Sequence, residues 1–81
     1  MVTVRYFAGA REAAGTGKEP VLIAAGTTLA QLREELVDLH GAAMGRILPA
    51  CSFLIDETGR DQGSRLSPGT TVDVLPPFAG G

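Results

Sequence analysis

Few residues in this 81-residue chain have the chemistry of an active site. His40 is the only histidine and Cys51 the only cysteine. His40 stands beside Gly41 at the expected end of a helix, where the helix dipole favours a solvated imidazole, and that reading outweighs a catalytic one. Cys51 opens an expected strand, where cysteine behaves as a small buried hydrophobe, and nothing in the sequence places a base beside it. Gly15-Thr16-Gly17-Lys18 resembles the end of a phosphate-binding loop. The full pattern, however, requires glycine where Glu12 stands and Ser or Thr where Glu19 stands. A dinucleotide fingerprint starting at Gly15 fails in the same way at Pro20. Asp56, Glu57 and Asp61 cluster in a turn region without the regular oxygen-ligand spacing of a calcium loop, so they read as a solvated turn and not a metal site.

The remaining candidate is the C-terminus, Pro76-Pro77-Phe78-Ala79-Gly80-Gly81. Chain ends are commonly frayed. This one is expected to leave a central strand, which gives it a rigid root, and two prolines hold the exit extended. Phe78 is a large apolar residue with no internal place to go. Gly80 and Gly81 carry no Cβ, so the terminus is slim enough to enter a narrow channel in another protein, and six residues reach at most about 20 Å. The group delivered is the α-carboxylate of Gly81. At neutral pH it is ionised and a poor electrophile. Activation by adenylation needs a nucleotide site, which this sequence lacks, so the activating enzyme is expected to be a separate protein. Glycine at both last positions leaves the carbonyl carbon unhindered.

The elements that must position such a tail are readable from periodicity. Val2 to Phe7 alternates as a strand, with Val2, Val4 and Tyr6 on one face and Thr3, Arg5 and Phe7 on the other. Phe7 is the apolar exception on that second face. Ala8 to Ala14 suits a short helical turn stopped by Gly15-Thr16-Gly17, and Glu19 to Ile23 a second strand. Thr28 to Gln31 matches a capping box, followed by Leu29, Leu32, Leu36 and Leu39 on one helical stripe that ends at Gly41. Ala42 to Pro49 reads as irregular or briefly helical, and Cys51 to Ile55 as a third strand. Gln62 to Leu66 reads as a short edge strand. Ser67-Pro68-Gly69-Thr70 has the residues of a type II turn. Thr71 to Leu75 is the last strand, with Val72 and Val74 inward and Asp73 and Leu75 outward. Pro76-Pro77 ends its ladder. One long helix over a mixed four- or five-stranded sheet buries every apolar face, an α+β arrangement that fits the β-grasp, ubiquitin-like topology. The domain is expected to span residues 1–75 and the tail residues 76–81.

Composition agrees with a small single domain. The mass is 8.4 kDa, with 44% hydrophobic and 20% charged residues, which leaves room for one core and excludes a cleft between two lobes. A net charge of −2 and a pI near 5.2 argue against a nucleic-acid-binding role. One cysteine allows no internal disulfide, which suits a reducing cytoplasm. No apolar run approaches the ~20 residues of a membrane span, and no export signal is recognisable.

A diglycine end on a β-grasp chain resembles the ubiquitin-like sulfur carriers, the MoaD/ThiS family. The resemblance covers essentially the whole chain. It is closest to the small subunits of molybdopterin synthases, through Phe7-Ala8, Arg11-Glu12 and Gly15 after the first strand, Pro68-Gly69-Thr70 before the last, and Pro76-Pro77 before the diglycine. Phe78 and Ala79 vary from the usual residues at their positions. The resemblance implies a cycle. A ubiquitin-activating-like enzyme adenylates Gly81 with ATP, a sulfurtransferase supplies the sulfur that replaces AMP, and the carrier holds a Gly81 thiocarboxylate. The tail then enters the synthase large subunit, in a heterotetramer, and sulfur passes to a cyclic pyranopterin in molybdenum cofactor biosynthesis. The catalytic groups belong to that large subunit, and the small chain is no enzyme on its own. It binds no cofactor or metal. Partner contacts are assigned by this resemblance to Phe7, Leu75, Pro76, Pro77, Phe78 and Ala79, and the reacting end to Gly80 and Gly81. No nucleic acid or membrane is implied. The same diglycine serves carriers for thiazole, cysteine or specialised metabolites. It also suits a protein modifier joined to lysine, and a plain interaction domain would carry the tail incidentally.

Overall fold

A computed structural model describes residues 1–56, 58–59 and 63–77. Strand β1 (Val2–Tyr6) is followed by helix α1 (Ala8–Ala14), strand β2 (Lys18–Val21), helix α2 (Leu29–His40), helix α3 (Ala42–Ile47) and a 3-10 turn (Leu48–Ala50). Strands β3 (Ser52–Ile55), β4 (Thr58–Gly59) and β5 (Thr71–Leu75) complete the chain. The sheet order is β2-β1-β5-β3-β4. β1 and β5 pair in parallel, and β1 with β2, β3 with β5 and β3 with β4 pair antiparallel. This is the β-grasp arrangement expected from the sequence, with first and last strands adjacent near the centre.

Each element has a local cause. Alternation in β1 puts Val2, Val4 and Tyr6 under α2 at 2% exposure or less. The α2 capping box forms as read. Gln31 N–H donates to Thr28 Oγ1 at 3.2 Å and Thr28 N–H donates to Gln31 Oε1 at 2.9 Å, satisfying two otherwise unpaired helix-end donors. Gly15 ends α1 at φ +76°, a left-handed geometry that costs a side-chain-bearing residue energy. Gly69 has φ +82° and Thr70 N–H donates to Ser67 O at 3.2 Å, so the turn before β5 has the expected form. Leu29, Leu32, Leu36, Met44, Val72 and Val74 are wholly buried between helix and sheet.

Pro20 fits because β2 is an edge strand. Tyr6 N–H donates to Gly17 O, and antiparallel ladders alternate bonded and non-bonded pairs, so the Thr3–Pro20 pair is a non-bonded one. The ring nitrogen of Pro20 therefore faces outward, where it removes a donor from an edge that could otherwise pair with another chain.

Four expectations need correction. Leu39 is 57% exposed, whereas Leu29, Leu32 and Leu36 of the same stripe are wholly buried, so the apolar stripe outruns the core at the helix end. The second strand stops at Val21, and Leu22 beyond it is 78% exposed. The short edge strand beside β3 is Thr58–Gly59 and not Gln62–Leu66. Within that span Gln62 lies outside the described residues, Arg65 makes an isolated bridge to Thr28, and Leu66 is buried. Asp73 does point away from α2, yet it is only 4% exposed. Of the acidic turn, Asp56 is described and accepts from Thr71 N–H at 2.9 Å, while Glu57 and Asp61 lie outside the described residues.

Candidate functional site

The parallel pairing of β1 and β5 sends both strands out at one end of the sheet. Phe7 N–H donates to Val74 O at 3.2 Å, so Phe7 and Leu75 emerge side by side on the face opposite α2. Phe7 is 40% exposed and Leu75 half-buried. Pro76 is buried against the domain and Pro77 is exposed, so the exit from β5 is anchored for one residue and free at the next. Phe78, Ala79, Gly80 and Gly81 lie outside the described residues. The structure thus brings together Phe7, Leu75, Pro76 and Pro77 at the root of the tail.

Beneath Phe7 lies an ion pair. Arg5 and Asp73 are register partners across β1 and β5. Arg5 Nε donates to Asp73 Oδ1 at 2.5 Å and Nη2 to Oδ2 at 2.7 Å, a bidentate fork. The guanidinium also lies 5.9 Å from the Phe7 ring centroid, within cation–π range. This explains the burial of Asp73, since the arginine covers it. The pair was legible in principle, because Val4-Arg5-Tyr6 and Val72-Asp73-Val74 carry opposite charges at matching offsets once the strands are known to be parallel neighbours.

The helix side holds a second polar cluster. Glu19 on β2 accepts from Tyr6 Oη–H at 2.5 Å and from His40 Nε2–H, and Tyr6 Oη lies 3.3 Å from His40 Nε2. The Tyr6 and His40 rings meet edge-on at 5.6 Å. Burial, then the hydrogen bond to Glu19, then its negative charge push the Tyr6 hydroxyl well above the ordinary tyrosine range. His40 is therefore not the solvated helix-end residue that its place beside Gly41 suggests. Its side chain is 12% exposed and ties the end of α2 to β1 and β2. No motif announced this cluster. All three polar atoms are engaged with one another, which makes it a structural fastening.

Cys51 is half-buried and its Sγ–H donates to Ile47 O at 3.2 Å. Burial pushes the thiol up, and the nearby Arg33 charge only partly opposes this. A thiol held protonated is a weak nucleophile, in keeping with the packing role expected for it. Among the described residues, no group of three or more His, Cys, Asp or Glu is placed to hold a metal ion. Among them, too, no helix is long and apolar enough to cross a membrane.

A sheet of this topology with a tail leaving the central strand invites comparison with known proteins. Residues 4–81 match the model of the ThiS family. The chain belongs to the ThiS family. No curated protein matches it. Among solved structures, SAMP1 from Haloferax volcanii is similar at TM-score 0.87 and 22% identity, over 99% of this chain and 98% of that one. A putative molybdopterin converting factor subunit 1 from Pyrococcus furiosus is similar at TM-score 0.82 and 23% identity, over 95% and 97%. A complex of subunits 1 and 2 of the molybdopterin-converting factor from Helicobacter pylori 26695 contains a chain similar at TM-score 0.72 and 22% identity, over 99% and 97%. At such identities these likenesses are likenesses of fold. For this ThiS-family chain they support the β-grasp assignment along nearly its whole length, and the family match identifies it as a small carrier-type protein.

Proposed function

We propose that this chain is the sulfur-carrying small subunit of a molybdopterin synthase, working in the cytoplasm. The observation that carries the reading is the Pro76-Pro77-Phe78-Ala79-Gly80-Gly81 end, rooted in the central strand of a ThiS-family β-grasp domain. In this reading the Gly81 carboxylate attacks the α-phosphorus of ATP on a separate activating enzyme, forming the acyl adenylate and releasing pyrophosphate. The terminal sulfur of a sulfurtransferase persulfide then attacks the acyl carbon and displaces AMP, and a thiol reduces the resulting acyl disulfide, being itself oxidised to a disulfide, to leave the thiocarboxylate. A large subunit takes the tail and supplies the acids and bases for transfer to a cyclic pyranopterin. The chain's own part is to hold Gly81 at the end of a slim tether and to present Phe7, Leu75, Pro77 and Phe78 to the partner.

The test is intact mass after incubation with the activating enzyme of the same organism, ATP and a sulfur donor. A gain equal to one oxygen-to-sulfur exchange, absent when Gly81 is deleted, is expected. No gain refutes sulfur carriage. A second reading is favoured by the likeness to small archaeal modifier proteins, to which the fold is at least as similar as to the converting factors. There Gly81 would form an isopeptide bond to a target lysine, and conjugates larger than the free chain would appear in lysate and vanish on deletion of Gly81.

A further inference from the structure

A second apolar surface lies on the α2 side of the sheet. Leu22, just beyond β2, is 78% exposed, and Leu39, in the last turn of α2, is 57% exposed. Both line one groove between the edge strand and the helix, together with Pro20, Val21, Glu35 and Asp38. The groove thus has an apolar floor and an acidic wall, and no cation lines it. Glu35 and Asp38 stand one turn apart on α2, both exposed, and neither forms an ion pair with another described residue. Val21 is the register partner of Val2, which precedes Phe7 along β1 by about 17 Å at strand spacing. The groove and the Phe7–Leu75 patch therefore lie on different sides of the domain, and a partner seated in one leaves the other open.

We propose that this groove seats the sulfur donor, a persulfide-bearing protein that enters it with apolar side chains flanked by Lys or Arg. The inference rests on the proposed function, since it names the surface that one partner in that reading uses. While Gly81 is held as the adenylate, the activating enzyme has the tail and the surface around its root. A protein that delivers sulfur at that moment must dock on the carrier away from that surface. Charge decides what it carries. Covering Glu35 and Asp38 with an apolar or acidic surface would leave both carboxylates desolvated without a counter-ion, so a basic rim is required. A second copy of this chain is disfavoured, because a symmetric contact sets four carboxylates together. Pro20 works against a strand added to β2, since its ring nitrogen gives that edge no donor. The occupant therefore presents side chains from a helix or loop and not a backbone ladder.

The experiment loads the full chain with sulfur on the activating enzyme of the same organism, by two routes compared side by side. One supplies a persulfidated sulfurtransferase of that organism with a thiol. The other supplies inorganic sulfide, which attacks the acyl adenylate directly and needs no docking. Leu22→Ser/Leu39→Ser should load about tenfold more slowly from limiting sulfurtransferase, recover at saturation, and load from sulfide at the unaltered rate. Glu35→Lys/Asp38→Lys should show the same split. Loading of the unaltered chain from the protein donor should slow as salt rises from about 0.05 M to about 0.5 M, and loading of this charge-reversed variant should not. All four positions are exposed, so both melting temperatures should stay close to that of the unaltered chain. If either variant loads from the protein donor as the unaltered chain does, the inference is overturned. Loading of the unaltered chain from sulfide alone overturns it too. Failure to load from either source refutes sulfur carriage itself, and the inference falls with it. A concentration-dependent dimer by sedimentation that Leu39→Ser abolishes would give the groove to a second copy and overturn the assignment to a basic partner.

Discussion

The Tyr6–Glu19–His40 fastening makes alkaline stability a sharp test of the buried polar structure. Tyr6 is 2% exposed, and its hydroxyl is held above its ordinary value of 10.0 by burial and by donation to Glu19. The folded chain thus keeps a proton that the unfolded chain releases above about pH 10. The unfolded state then binds fewer protons than the folded one, so stability falls as pH rises, by about 1.4 kcal/mol per pH unit for one group. The contribution is complete below pH 10 and is lost progressively above it. Burial raises the Cys51 thiol in the same direction from 9.0, so a second, earlier loss begins near there.

Tyr6→Phe isolates the tyrosine. A hydrogen bond to a carboxylate contributes about 1.5–3 kcal/mol. Glu19 is 21% exposed at its side chain and retains His40, so the lower end applies, and the variant should be about 1–2 kcal/mol less stable at pH 8. Phenylalanine has no proton to lose. As the unaltered chain loses about 1.4 kcal/mol per unit above pH 10, the two should reach equal stability near pH 11. The comparison is clean because the chain has one tyrosine, and its one cysteine is present in both proteins. Urea melts at intervals from pH 8 to about pH 11.5 supply the two curves. A gap that stays constant across this range would mean that the Tyr6 proton is not held by the fold, and the account of the cluster would be wrong.

Two further predictions concern the main helix. Thr28→Ala removes the acceptor for Gln31 N–H and should cost about 1 kcal/mol in urea melts. Leu36→Ala should cost about 2–5 kcal/mol because Leu36 is wholly buried, while Leu39→Ser on the same sequence stripe should change stability by less than about 0.5 kcal/mol. Equal losses at the two positions would show that the stripe is buried along its full length.

The contrast between Leu36 and Leu39 marks how far sequence reaches. Periodicity identifies a stripe, but where the stripe runs off its support depends on the length and twist of a sheet whose strands lie far apart in sequence. The local signals, Thr28 with Gln31 and Pro68 with Gly69, were legible because each is satisfied within four residues of itself. Arg5 with Asp73, 68 positions apart, became legible only once β1 and β5 were taken as parallel neighbours, and Tyr6 with Glu19 and His40, 13 and 34 positions away, was not legible, since these meet only through the β1–β2 pairing and the return of α2 over β2. The tail was the most legible feature of the candidate site, for the converse reason. Its chemistry needs no tertiary neighbour within this chain, only two residues without side chains after a pair that cannot continue a ladder. What the fold adds is the setting of the tail's root, Pro76 and Pro77, beside Phe7 and the Arg5–Asp73 pair. A terminus can be read from its composition alone, whereas the side chains that surround its root are set by the pairing of strands distant in sequence.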